Sequence, residues 1–463
     1  LTEDIGPRHG SSKNEARAAK YIHAYFKKLG LAPEYNEYPI YSFEKATASL
    51  TAPGGRKIPC EPFPMTASTP PRGVTGKVVF LEDANGAFLD SRIAGCIVVT
   101  FNNFPPADYE QFLAYKPAGL VSIQGSHSQL HVAMPWRHTP EKCVETLPSV
   151  CLTYTDGMAL LEDLPKTLTL RSKTTGEGWR SGNNVIADLP GSGVSDDVII
   201  VCAHYDSVWT GPGAFDNGGG TAAIMELARV YKESGSKFNL RFCAFGGEEM
   251  GLWGSKAYVK ELKDQHDKAK GSRSSKKKCE KTELEKVRFV INLDMLGMHY
   301  GRSNALILGH SDIAASVRLL ANQQRYAIGL QEDKVYSSDN RYFNFLGIPS
   351  LSFNRMGYAD GKGHTAGDTI DNCSPEGIAH IAGFVEAWIE AYMMSLHTFP
   401  FPRMLPEGSK QSVDALLKGK APFEDYDRVG LLRKAGEKVA KRRGRQAGRL
   451  SHEEQAVARA SRP

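Results

Sequence analysis

The chain has 463 residues, of which 41% are hydrophobic and 24% charged, with a formal net charge of +5. That length admits two or three domains and a full-sized core, and the composition is ordinary for a soluble globular protein. No run of about 20 apolar residues occurs, so no membrane-spanning helix is expected, and the positive charge crowds into 263–281 and 433–449.

Residues 12–29 carry helix signals at both ends. Ser12 with Glu15 fits a capping box and Gly30 fits the position just past a C-cap. Ala18, Ile22, Phe26 and Leu29 share one face, which predicts packing on a sheet. Residues 39–50 read as extended. From about 47 to 175, short β-type runs at 76–80, 95–101, 119–123 and 149–152 alternate with proline- and glycine-containing turns. This texture predicts a separate β-rich domain inserted near the start of the main one. Its His127, His131 and His138 have no carboxylate at metal-ligand spacing and read as surface or packing residues.

From Asn183 onward strands and helices alternate. Strands are expected at 184–189, 198–203, 240–245, 287–293, 305–309 and 350–353, and helices at 221–233, 252–262, 313–323 and 375–396. The pattern predicts an α/β fold: a doubly wound, mostly parallel sheet with helices on both faces. The resulting division is 1–46 for the N-terminal helix and the start of the main domain, 47–178 for the insert, 179–400 for the α/β domain and 401–463 for a basic tail. The lysine-rich 264–281 stretch reads as a solvated loop, and without interleaved aromatics it does not suggest a nucleic-acid partner. The eight cysteines show no CxxC spacing, which argues against a cysteine zinc site; Cys202 and Cys243 read as small core residues. The chain starts at Leu1, compatible with a secretory leader upstream, so an extracytoplasmic location is slightly favoured while the compartment stays open.

The apolar run 198–203 stops at His204-Tyr205-Asp206, the run 240–245 is followed by Glu248-Glu249, and 287–293 ends at Asp294; His364 follows the fourth run. Singly, each has an ordinary explanation, such as an acidic pair at a helix N-terminus. Together they follow strand ends, where such sheets place ligands. Ionised groups at the edge of a buried sheet need compensation, and a bound cation supplies it. The Gly218-Gly219-Gly220 run lacks phosphate-loop spacing; glycine there lets a helix N-terminus approach the site.

HYDS, AFDNGGG, GGEEMGLWGS, INLDMLG and GHTAGDT, in this order, resemble the motif series of the co-catalytic zinc aminopeptidases, a family that includes bacterial leucyl-type aminopeptidases and aminopeptidase Y. The resemblance covers about 184–396 and the N-terminal helix. It implies the zinc exopeptidase fold, two zinc ions per chain and peptide substrates that lose N-terminal residues. Carried over, His204 and Asp294 would hold one zinc, Glu249 and His364 the other, and Asp216 would bridge them. Glu248 would be the general base toward a metal-bridging water, and Asp206 would accept from His204 and fix its tautomer. More loosely, GCIVV, AGLVSI and LPSVCLTYTDGMALLE resemble a protease-associated domain, which implies a role in substrate access.

In some members of that family a tyrosine or other functional residue lies beside the last histidine, whereas Gly363 precedes His364 here. Tyr358 and Tyr342 are therefore candidates for stabilising the tetrahedral oxyanion, beside the metals themselves. A carboxypeptidase similar to glutamate carboxypeptidases stays open and would need a cation such as Arg341 or Arg355 for a C-terminal carboxylate. A glutaminyl cyclase fits the ligand pattern less well, and a non-catalytic receptor-like module would have lost ligands that are all present. Residue preference and oligomeric state are not legible.

Overall fold

In the computed structural model, residues 1–124, 147–271, 280–357, 362–396, 398–424 and 426 are described, and they build two eight-stranded sheets. Helix α1 (Lys13–Lys28) leads into β1 (Glu34–Ser42). The chain then enters the second sheet with β2 (Lys45–Thr51), β3 (Lys57–Ile58), β4 (Glu61–Pro62), β5 (Val74–Leu81), β6 (Ile97–Phe101), α2 (Pro106–Ala114), β7 (Gly119–Ile123), β8 (Ser149–Leu152), α3 (Tyr154–Glu162) and β9 (Thr167–Thr175). It returns through β10 (Gly178–Leu189), β11 (Val198–His204), α4 (Gly219–Ser234), β12 (Asn239–Phe245), α5 (Trp253–Gly271), α6 (Glu283–Lys286) and β13 (Val287–Leu293). The remainder is β14 (Arg302–Leu308), α7 (Ser311–Gln324), β15 (Ile328–Gln331), α8 (Arg341–Phe345), β16 (Ser350–Met356), α9 (Pro375–Ile389) and α10 (Glu407–Leu417).

The first sheet has the order β1-β10-β12-β11-β13-β16-β14-β15. Its centre, β12-β11-β13-β16, is parallel, while β1, β10 and β14 join antiparallel. A central parallel strand is covered on both faces and reads as a continuous apolar run, and β11 is buried at every position. The strand's period of two separates the layers. Ile199, Val201 and Ala203 pack with residues of α1, α4, α7 and α9, whereas Val198, Ile200 and Cys202 face α5 and α8. Both Cys202 and Cys243 are fully buried.

The second sheet, β3-β2-β9-β5-β6-β7-β8-β4, is parallel from β5 to β8. The stretch expected to be β-rich also carries α2 and α3; α3 grows from the TYTDGMALLE run, where the Thr153 hydroxyl accepts from Asp156 N. The segment expected to be extended over 39–50 is two strands in different sheets, since β1 pairs with β10 and β2 with β9. Helix α5 runs on to Gly271 where a solvated loop was expected. Ion pairs Lys260–Asp264 and Lys263–Asp267 at i,i+4 support that polar extension. Strand β15 was not anticipated, because IGLQ is only partly buried and shows no alternation. His127, His131, His138, Tyr358 and the basic tail at 434–449 lie outside the described residues. Among the described residues no helix is long and apolar enough to cross a membrane.

At the start of α1 the Ser12 hydroxyl accepts from Glu15 N at 3.0 Å. The Glu15 carboxylate does not close a capping box: it accepts from Ser11 N at 2.6 Å and from the Tyr38 hydroxyl, in full burial. Burial, then the neighbouring Asp206, pushes its pKa up to about 8. Below the ordinary carboxylate range both folded and unfolded chains are protonated there. Between that range and pH 8 only the unfolded chain ionises, so this group takes away about 1.4 kcal/mol of stability per pH unit as pH rises. Glu15→Gln should flatten that slope. Urea unfolding of metal-free protein at pH 5.5 and 7.5 checks it: the variant should gain on the native chain at the higher pH, and an unchanged difference would refute the assignment.

Candidate metal centre

The four parallel strands end side by side, β11 at His204, β12 at Phe245, β13 at Leu293 and β16 at Met356. Residues just beyond them must converge. Glu248 and Glu249 follow β12, Asp294 follows β13 directly, His364 lies in the loop beyond β16, and Asp216 sits in the Ala214–Gly218 turn that leads into α4. The structure brings together all seven residues singled out in the sequence.

Asp216 faces both imidazoles. Its Oδ1 lies 3.2 Å from His204 Nε2 and its Oδ2 3.0 Å from His364 Nε2. Asp294 Oδ1 is 3.2 Å from the same His204 nitrogen, and Glu249 Oε2 is 3.0 Å from His364 Nε2. Two donor sets, His204 with Asp294 and His364 with Glu249, thus share one carboxylate. Glu248 stands with His204 and Asp294, their nearest donor atoms within 4.8 Å of one another. Asp206 faces His204 Nδ1 at 3.5 Å, longer than a well-formed hydrogen bond. It accepts instead from the backbone of both glutamates, Glu248 N at 3.1 Å and Glu249 N at 3.3 Å.

The arrangement holds more negative charge than its cations balance. Burial and then the neighbouring acids hold Glu248 well above the usual carboxylate range, against the opposing pull of His204. Burial also lifts Glu249. Burial opposes protonation of His204, yet Glu248 and Asp294 outweigh it and keep the ring charged far above its ordinary range; Glu249 does the same for His364. Asp216 is held down: burial resists its ionisation, but hydrogen bonds from both imidazoles prevail. In effect protons and imidazolium rings stand where positive charge is needed. His204 Nδ1 and Glu249 Oε1 are buried without a hydrogen-bond partner. Imidazole and carboxylate donors, oriented inward and under-satisfied, fit divalent zinc.

Several supporting residues escaped the sequence reading. Asp368 accepts from Ala214 N, Phe215 N and Asp216 N at 2.8–3.0 Å, tying the His364 loop to the Asp216 turn. Burial and then Asp216 raise its pKa to about 7 despite those donors. Asn217 clamps the same turn to the end of β13, donating to Leu293 O at 2.9 Å and accepting from Met295 N at 3.2 Å. A Cβ on Gly220 would lie 2.3 Å from Leu293 O, so the close approach of α4 requires glycine there. Arg8 is fully buried beneath the loops, its guanidinium donating to Tyr205 O, Pro212 O and Gly213 O. Asp339 is buried beside the cluster, and burial pushes its pKa up to about 7. Met295 and His364, next to or within the donor set, occupy the left-handed backbone region, with φ of 58° and 53°, a conformation that non-glycine residues adopt uncommonly.

Of the other candidates, Tyr342 stacks on Phe423 and meets Phe345 edge-on, in the apolar layer below the sheet. Tyr336 is the phenol beside the acids: its hydroxyl is 3.7 Å from Met295 Sδ, and burial followed by Asp294 keeps it protonated. Arg355 is committed to Met298 O, His299 O and Ser303 Oγ. Arg341 lines a cavity past Tyr336.

Residues 184–389 match the model of peptidase family M28. The chain is similar to aminopeptidase YwaD of Bacillus subtilis, 27% identical over 405 residues, covering 84% of this chain and 81% of that protein. It is also similar to carboxypeptidase Q of Bos taurus, 26% identical over 278 residues, but there it spans 59% of the relative's length. Among solved structures, BSAP, a zinc aminopeptidase from Bacillus subtilis, superimposes with a TM-score of 0.66 at 25% identity over 87% of this chain and 96% of that one.

Proposed function

We propose that this chain, whose residues 184–389 match the model of peptidase family M28, is a dinuclear zinc exopeptidase that removes N-terminal residues from peptides. One observation carries the proposal: Asp216 presents one oxygen to the His204–Asp294 set and the other to the His364–Glu249 set. These five residues would hold two zinc ions, which supply a more acidic water and a polarised scissile carbonyl when bound.

The chain's own groups do the rest. Glu248 stands beside the His204–Asp294 set, where it can take the proton of the attacking water and deliver it to the leaving amine. Asp206 orients both glutamates through their backbone N–H groups, which lets neighbouring carboxylates differ in role. Tyr336, kept protonated, can donate toward charge developing on the substrate's carbonyl oxygen. Residues 47–178 would form an inserted domain of the protease-associated kind that limits access to the cleft.

Zinc-loaded protein offered aminoacyl-anilides, N-blocked dipeptides and glutaminyl peptides tests the reading. Cleavage of aminoacyl-anilides is expected; turnover of blocked dipeptides alone would make the enzyme a carboxypeptidase. Metal content gives a second measure. Asp216→Asn weakens both donor sets at once, so zinc per chain after dialysis should fall from two to below one. Retention of both ions would rule out Asp216 as the shared ligand.

A further inference from the structure

Past Tyr336 the acid cluster gives way to a cavity of about 1450 Å³ between β14, β16 and the segment that ends at Arg341. Tyr336 is the common wall, with its hydroxyl on the Met295 side next to Asp294. The charge changes sign across it. Arg302, Lys334 and Arg341 line the cavity with the amides of Asn304 and Asn354, and among the described residues no carboxylate lines it. None of the three cations pairs with an acid among the described residues. The Arg341 Nε is buried without a hydrogen-bond partner, although a guanidinium is an obligate donor. Arg302 Nε is held by Asn304 Oδ1 at 3.2 Å, which fixes that side chain at the wall.

Arg341 is half-buried and Arg302 and Lys334 are exposed, so the three charges together give the concavity a positive potential that attracts an anion. The arginine fork matches a carboxylate in particular. We propose that this cavity is a subsite for a carboxylate of the peptide substrate, so that the enzyme prefers peptides carrying an acidic side chain or a free C-terminus close to the scissile bond. This rests on the peptidase reading above. It makes the two sides of Tyr336 complementary: acids and cations of the enzyme at the reacting bond, cations alone for the substrate's own negative charge.

The test uses two arms on zinc-loaded full-length protein. One compares glutamyl with glutaminyl anilides, and the other compares dipeptides with free and amidated C-termini. A charge-assisted pair contributes about tenfold or more in affinity, so in one arm kcat/KM should favour the carboxylate substrate by at least about tenfold, mostly through KM. The arm that responds identifies the source of the carboxylate. Arg341→Gln should collapse that ratio to about one at an unchanged thermal midpoint, and Arg341→Lys should restore part of it. Equal cleavage of charged and neutral substrates in both arms overturns the subsite and leaves the peptidase reading standing. So does a preference that persists when Arg302, Lys334 and Arg341 are all replaced by glutamine. No cleavage of any substrate overturns the peptidase reading and this proposal with it.

Discussion

Glu248→Gln should keep two zinc ions per chain and lower kcat by about 10³-fold, roughly 4 kcal/mol in activation free energy. The amide matches the carboxylate in shape and leaves the Glu248 and Glu249 backbone N–H groups on Asp206 undisturbed. What it loses is the ability to accept a proton at the site shared with His204 and Asp294. The same grouping makes the measurement decisive, because a glutamate so close to an imidazole and a carboxylate is also placed to be a ligand. Metal analysis beside single-turnover kinetics separates the roles. Loss of one zinc together with activity would make Glu248 a ligand, and full activity with full metal would remove it from the chemistry altogether.

How much of this was legible in the sequence follows from what each feature depends on. The central strands could be read because a strand covered on both faces must be largely apolar: 198–203 is so throughout, and 287–293 is so apart from Arg288 and Asn292. The polar residues at their ends stood out against that background. The split of 39–50 between two sheets could not be read, since nothing local distinguishes β1 from β2 and only their partners β10 and β9 do. The polar continuation of α5 was hidden for another reason: it is held by exposed i,i+4 ion pairs, which leave no apolar stripe. Asp368 lay in view within GHTAGDT, yet its function is to receive three backbone N–H groups from a turn 152–154 residues earlier in the chain. Arg341 and Arg355 looked equivalent in the sequence. The structure commits one to backbone carbonyls and leaves the other on a cavity wall.

Arg8→Met should destabilise the protein by about 3–5 kcal/mol, a fall of about 10 °C in thermal midpoint. Arg8 has no local signal in the sequence, because it precedes α1 and the carbonyls its side chain serves lie 197–205 residues further along the chain. In the fold it is fully buried, and its fork serves the carbonyls of Tyr205, Pro212 and Gly213, on either side of the loop between β11 and Asp216. Its own backbone N–H reaches Ser207 Oγ at 3.1 Å. Burial pushes its pKa down, while Asp206 and then Asp368, Glu249 and Asp216 oppose that effect, so the guanidinium stays charged and offsets part of the acid cluster from below. Methionine fills similar volume but removes a donor from three carbonyls, of which Gly213 O keeps Gly218 N, and takes this cation from four carboxylates. Arg8→Lys separates the two contributions: an ammonium retains the charge but cannot match the planar fork. If charge alone matters, lysine should restore the midpoint in metal-free protein. If the fork holds the loop, lysine should remain nearly as unstable as methionine, and zinc affinity should drop in both variants, because the Asp216 turn loses its anchor. We expect the second result; full recovery by lysine, or a midpoint unchanged in methionine, would show that Arg8 does not hold the loop in place.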